Sequence, residues 1–225
     1  MRIGALAVAL TAVIIGATTA GCGGDPGAAP TTSAVADSGE PDGGYDVGRL
    51  TSATGIFPDG VKVTQMPKET LSREQADQRA GLYGSIPMTY DPPDCRALAD
   101  PFQMSEGSEV AGIRSAQPPS IVVMASRAKI GDPDWVVGPE CQKVNVTSPQ
   151  GVSKAGYERI PGPAIDGVTT LGTRAQLQSG GGSETRTLYT FVAVLSPQTS
   201  VMIQGSENPD QLKAMLVKSV AAIRG

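Results

Sequence analysis

The chain has 225 residues, of which 18 are basic and 22 acidic, with three cysteines and no histidine. A net charge of −4 without a basic stripe or arginine cluster argues against nucleic acid as a partner. The missing histidine removes Ser-His-Asp and Cys-His nucleophile pairs and histidine-held metal sites.

The first segment, residues 1–21, reads MRIGALAVALTAVIIGATTAG. Arg2 is its one charge, and the apolar run from about Ile3 to Ala17 is short for a membrane span of ~20 residues. A charged start, a short apolar core and small residues at the end describe a secretory signal peptide. Thr19-Ala20-Gly21-Cys22 then resembles the lipobox of bacterial lipoproteins, with Thr19 where that family usually carries Leu, Val or Ile. The resemblance implies a diacylglyceryl group on the Cys22 thiol, cleavage before Cys22 and acylation of the new amino terminus. Two plainer readings are a secretory signal with an incidental cysteine and a retained anchor. Two or more acyl chains hold a protein to a bilayer where one would not, at ~0.8 kcal/mol per buried methylene.

Residues 22–45 follow as the lipidated cysteine and a tether. The stretch GGDPGAAPTTSAVADSGEPDGGY is rich in Gly, Pro, Ala, Ser and Thr and carries acids but no base. Such a composition buries too little apolar surface to offset its ordering entropy, so a flexible linker is expected. Arg2 and the four acids Asp25, Asp37, Glu40 and Asp42 all precede residue 46, which leaves residues 46–225 with 17 basic against 18 acidic side chains. That segment is long enough for a single domain with one sizeable core. With Cys22 assigned to lipid, Cys95 and Cys141 remain. In an oxidising compartment such a pair reads as a disulfide, contributing about 4 kcal/mol in the chain-entropy model. Two free thiols or a metal pair are the competing readings, and a zinc site would need carboxylates in place of histidine.

Along the domain, FPDGVKVTQM (57–66) combines Pro-Asp-Gly turn chemistry with the alternation Val61, Val63 and predicts a short strand. TLSREQADQRAGLY (70–83) opens with a capping box, Ser72 with Gln75, and predicts about three helical turns. DPPDCRALAD (91–100) reads as a short helix opened by proline and an acid, carrying Cys95. SIVVMAS (120–126) is a continuous apolar run, as in a strand buried on both faces. CQKVNVTS (141–148) alternates through Val144 and Val146. TTLGTRAQLQ (169–178) alternates with Leu171, Thr173, Ala175 and Leu177 inward and Gly172, Arg174 and Gln176 outward. TLYTFVAVL (187–195), a turn at SPQT and SVMIQG (200–205) complete the strands. Short connections between them favour antiparallel pairing. In the last helix Asn208 caps, Pro209 takes the first position, Asp210 complements the dipole, and Leu212, Met215, Leu216, Val220 and Ile223 share one apolar face. The expected fold is α+β: an antiparallel sheet of about five to six strands with helices packed on one face, including the C-terminal amphipathic helix.

Chemistry is sparser. No Gly-x-Ser-x-Gly elbow or Walker A loop is present, and GGG at 180–182 lacks the lysine and the strand-to-helix setting of a phosphate loop. Asp91/Asp94 and Asp132/Asp134 lie beside prolines, where turn and cap duty explains them better than a catalytic carboxylate pair. Asp132, Asp134 and Glu140 match no calcium-loop spacing. Trp135, the single tryptophan, reads either as a core plug beside the cysteine bridge or as an aromatic platform in a binding cleft. Tyr83, Tyr90 and Tyr157 have no spacing that makes them a groove. No catalytic residue, metal ligand or cofactor is assigned.

FPDGVKV, LSREQAD, YDPPDC, CQKVNVTS, IDGVTT and LVKSVAAIRG together resemble a family of mycobacterial and actinobacterial lipoproteins with a C-terminal domain of unknown function, over roughly residues 46–225. The layout is also similar to the extracytoplasmic sensor domains of some mycobacterial receptor kinases, which are secreted, disulfide-bonded, α+β and cleft-forming. That second likeness is one of fold. The expectation is a non-enzymatic envelope lipoprotein, anchored through Cys22 to the outer face of the cytoplasmic membrane, that binds an envelope lipid, a glycan or a protein partner. The alternatives are a histidine-independent hydrolase or transferase of the envelope and a structural spacer without ligand.

Overall fold

Nine extended segments between Val63 and Gly205 fold into one sheet. The computed structural model describes residues 45–79, 87–102, 104–118, 120–128, 137–149, 153–179 and 185–225. The elements in chain order are β1 (Val63–Thr70), α1 (Arg73–Arg79), β2 (Thr89–Asp91), α2 (Arg96–Ala99), β3 (Glu109–Ser115), β4 (Val122–Arg127), β5 (Lys143–Thr147), β6 (Ser153–Ile160), β7 (Thr169–Ser179), β8 (Thr185–Val194), β9 (Thr199–Gly205) and α3 (Pro209–Arg224). Short 3-10 segments at Val47–Ser52 and Thr54–Ile56 precede β1, and a third, Pro93–Cys95, leads into α2.

The strands form one nine-stranded sheet in the order β1-β3-β4-β9-β8-β7-β6-β5-β2, and every ladder is antiparallel. The expected antiparallel pairing holds, but the expected count of five to six strands is corrected to nine. The added strands are β2, β3 and β6. β2 has only three residues, while EVAGIRS and SKAGYERI carry charges and a glycine that hide their alternation. The expected strand at 57–66 is also shifted. It begins at Val63 and continues to Thr70, leaving Val61 outside it and 38% exposed. Its register slips between Met66 and Glu69, around Pro67. Proline is tolerated there because β1 is an edge strand with no outer partner for an N–H.

The register assigns each core residue to a face. On the first face lie Ala111 and Ile113 of β3, Val123 and Ala125 of β4, Val201 and Ile203 of β9, and Phe191 and Ala193 of β8. α3 covers them with Leu212, Met215, Leu216, Val220 and Ile223, all at most 3% exposed. Val47, Leu50 and Ile56 of the 3-10 segments complete this core. α3 starts as its sequence predicts: the Asp210 N–H donates to Asn208 Oδ1 at 2.9 Å, with Pro209 at the first turn. The Lys213 ammonium lies 5.7 Å from the centre of the Phe191 ring and 3.4 Å from Asp210 Oδ1. Gly172 of β7 is opposite Phe191 in register, and an added Cβ there would meet that ring at 2.8 Å and the Ile160 carbonyl at 2.8 Å. Gly172 is therefore buried, where the sequence had it facing outward.

One residue along β7, Leu171 points to the second face, together with Thr173 and Ala175. Val144 and Val146 of β5 and Ala155 and Tyr157 of β6 join them by register. The cover here is α2, with Leu98 and Ala99, and the Cys95–Cys141 disulfide, whose Cα atoms are 5.4 Å apart. The two cores therefore lie on opposite faces at opposite ends of the sheet, which corrects the expectation of helices on one face. A sheet this wide exposes apolar positions on both surfaces, and each half needs its own cover.

Candidate functional site

Between these covers a strip of the second face stays open among the described residues. α1 closes one side of it. Ser72 and Gln75 form the expected capping box: the Ser72 N–H donates to Gln75 Oε1 at 2.9 Å and the Gln75 N–H donates to Ser72 Oγ at 3.2 Å. The described helix ends at Arg79, and the rest of the expected three turns lies outside the described residues. Ala76 packs with Leu71, Val110 and Met104, which sets α1 over β3. Glu69 on β1 ties it down further, accepting from Arg79 Nη1 at 2.7 Å and from Gln75 Nε2 at 3.5 Å. The chain that leaves α2, Asp100 to Phe102, closes the other side.

The floor is a row of methionines. Met66 pairs with Gly112, Gly112 with Met124, and Met124 with Met202, so these positions stand in line across β1, β3, β4 and β9 on the same face. The three side chains are half-buried, as is Met104 above them. Gly112 leaves the gap that Met66 and Met124 fill: a Cβ there would lie 2.5 Å from Met66 Cε and 3.2 Å from Met124 Cγ. Two adjoining cavities, of about 360 and 140 Å³, meet at Arg79 and Met104 and extend from Met66 to Thr190 and Gln204. Together they reach the size of small-molecule sites, about 300–1,000 Å³. Methionine thioethers are flexible and polarisable, and surfaces built from them adapt to apolar ligands of varied shape. β4 is thus buried fully on the first face only, since Met124 opens into this groove, and the sequence reading of two buried faces is corrected.

Polar groups around the groove are committed to one another. Glu69 holds Arg79, and Gln204 Nε2 donates to Thr190 Oγ1 at 3.0 Å. Asp100 lies 3.9 Å from Arg96. Burial raises the Asp100 carboxyl above its ordinary range, and the Arg96 charge opposes that only in part. A second hollow, of about 280 Å³, lies on the first face over β5 to β8 and is lined by polar side chains including Asn145, Gln176 and Lys154. Beside it Arg174 donates to Glu158 and holds that carboxyl below the usual range.

The residues singled out from the sequence lie elsewhere or outside the described chain. Cys22 and Trp135 are both outside the described residues, as are Asp132, Asp134, Tyr83 and the GGG stretch. Cys95 and Cys141 are joined, as expected, and lie in the second core. Tyr157 is buried in that core, and Tyr90 packs against it with the Arg96 guanidinium 5.6 Å from its ring centre, so neither lines the groove. Asp91 and Asp94 are exposed, with Asp94 in the first turn of a 3-10 segment. Among the described residues, no cluster of three or more His, Cys, Asp or Glu is placed to hold a metal ion. Among them also, no helix is long and apolar enough to cross a membrane. The groove residues escaped the sequence reading because each methionine looks like one more apolar strand residue until the register lines them up.

The profile of one protein family matches residues 46–224, and its description is a domain of unknown function (DUF5642). The chain belongs to this family. The DUF5642 domain thus coincides with the described sheet and its covers. Among solved structures, an uncharacterized protein of Mycobacterium smegmatis, the Rv0999 ortholog, is similar with a TM-score of 0.61 and 19% identity, over 81% of this chain and 98% of that one. This likeness is one of fold. The extracellular domain of PknH from Mycobacterium tuberculosis matches with a TM-score of 0.42 and 13% identity, over 79% of this chain and 91% of that one. No curated protein matches the DUF5642 chain.

Proposed function

We propose that the protein is an exported envelope lipoprotein, anchored through Cys22, whose DUF5642 domain binds a ligand without chemically altering it. The observation that carries the binding reading is the methionine-floored groove between α1 and the chain after α2, a mainly apolar hollow, in contrast to the polar hollow over β5 to β8. The leader and lipobox-like residues 1–22 and the Cys95–Cys141 bridge support export, since disulfides persist in oxidising compartments. A carboxylate-dependent hydrolase would need two carboxyls free to exchange protons across a cleft. Of the two at this groove, Glu69 is held by Arg79 and Gln75, which favours binding over turnover.

Two measurements test this reading. Intact mass of the protein from its native membrane fraction should correspond to residues 22–225 plus diacylglyceryl and acyl groups. An unlipidated mass, or cleavage elsewhere, sinks the anchor. For the domain, the methionine methyl signals of the full chain, labelled with carbon-13, should respond to a total lipid extract of the native envelope at Met66, Met104, Met124 and Met202. Met215, on the buried side of α3 and 3% exposed, should stay still. Unmoved groove methyls would remove the groove as the site.

A further inference from the structure

The groove has a shape and a charge balance that narrow its ligand, given the reading above of the groove as the binding site. Its floor is straight: Met66, Gly112, Met124 and Met202 are cross-strand partners in sequence across the sheet. From Met66 on β1 to Thr190 on β8 the path crosses four inter-strand steps, roughly 19 Å at the usual strand spacing. That length suits a long hydrocarbon chain lying across the strands. A broad planar ring system matches this line of methionines less well, since α1 and the Asp100–Phe102 segment flank the row.

The electrostatics separate two kinds of chain. A free fatty acid carries a carboxylate, which needs an uncommitted cation or donor. Arg79 is already bound to Glu69 at 2.7 Å. Arg96 faces Asp100 and the Tyr90 ring. At the far end Gln204 Nε2 already donates to Thr190 Oγ1 at 3.0 Å, and no cation besides Arg79 lines that cavity among the described residues. Among the described residues, the charged groups at the groove itself are one cation, Arg79, and two carboxyls, Glu69 and Asp100, so a further anion there is disfavoured. A neutral ester linkage makes no such demand. We infer that the groove receives a single unbranched, ester-linked acyl chain of an envelope lipid, laid along the methionine row with its headgroup toward solvent.

The test uses the full chain with carbon-13 methionine methyls and defined probes. 1-Monopalmitoylglycerol should shift the Met66, Met104, Met124 and Met202 signals and leave Met215 unchanged. In a series from monodecanoyl- to monopalmitoylglycerol, affinity should rise about two- to fourfold per methylene, as expected for progressive burial of the chain. Palmitate at neutral pH should bind at least tenfold more weakly than its glycerol ester. Met124→Lys, which puts a charge in the middle of the row, should abolish the response. The chain-length series in the unmodified protein decides the matter even if that variant folds poorly. Palmitate binding as tightly as the ester, affinity independent of chain length, or shifts at Met215 equal to those in the groove would each overturn the inference. If the native lipid extract moves the groove methyls while no monoacylglycerol does, the acyl-chain inference fails and the groove survives as a site. If neither moves them, both fail.

Discussion

Asp100 shows how one side chain can set a pH dependence. It lies at the groove wall with its side chain 20% exposed, and burial raises its carboxyl above the ordinary value. A carboxyl raised in the folded state favours folding fully below its unfolded value, and that contribution is lost as pH rises through the folded one. At neutral pH, above the unfolded carboxylate value, Asp100 therefore weighs against the folded state. The Arg96 partner, largely exposed at 3.9 Å, offsets little of this. Asp100→Asn should raise the thermal midpoint at pH 7, and the gain should fade as pH falls toward the carboxylate range. A gain that grows on acidification would contradict the burial argument. Gly112 makes the complementary point about space. A Cβ at this position would meet the Val123 carbonyl oxygen and Met66 Cε, each at 2.5 Å. The methionine can swing away, but the carbonyl belongs to the β3–β4 ladder and cannot. Gly112→Ala should cost about 1–3 kcal/mol in denaturant unfolding, as overpacking does. It should also displace the Met66 and Met124 methyl signals.

At the scale of elements, the disulfide is the main fastening of the second core. α2 has only four residues and cannot hold itself in place as α3 does with sixteen. Cys95, just ahead of α2, and Cys141, just ahead of β5, clamp it over Val144 and Val146. Replacing both cysteines with alanine should cost about 2–5 kcal/mol. Amide exchange should accelerate first in α2, β2 and β5, and unchanged protection there would show that packing alone holds the lid. These same elements mark what a sequence can and cannot disclose. α3 was legible to the residue, because its cap, its proline and its apolar stripe all act within the helix. So was the α1 capping box, which involves only Ser72 and Gln75. β7 was legible from its alternation, and β8 and β9 from the SPQT turn between them. β3 and β6 were not, because each has one face toward solvent or the groove and carries charge or glycine there. The choice of face for each helix was also hidden. Leu171 and Gly172 are both buried, on opposite faces, and Gly172 is buried by Phe191, 19 residues away. The methionine row was hidden for the same reason: cross-strand register among β1, β3, β4 and β9 is a property of pairs, and no single strand carries it.

For the whole described domain, the consequence of two cores on opposite faces is a question of cooperativity. α3 and the 3-10 segments stabilise one end of the sheet, and α2 with the disulfide stabilises the other. Among the described residues, α3 packs chiefly on β8 and β9 and α2 on β5, β6 and β7, so the sheet is the main path of coupling between the cores. The β7–β8 ladder is the bridge, paired without a break from Thr169 with Val194 to Gln178 with Thr185. β8 gives Phe191 and Ala193 to the first core, and β7 gives Leu171 and Ala175 to the second. A strand cannot lose its packing on one face and keep its ladder intact, because its backbone sits in both structures at once. The ends should therefore unfold together. Leu216→Ala, in a fully buried position of α3, should cost about 2–5 kcal/mol. That loss should appear equally in the exchange of the slowest amides of β9 and of β6, although β6 lies on the far side of the bridge. Two separate transitions, with β5 to β7 retaining full protection while β4 and β9 open, would mean that the disulfide-bound end is a folding unit of its own.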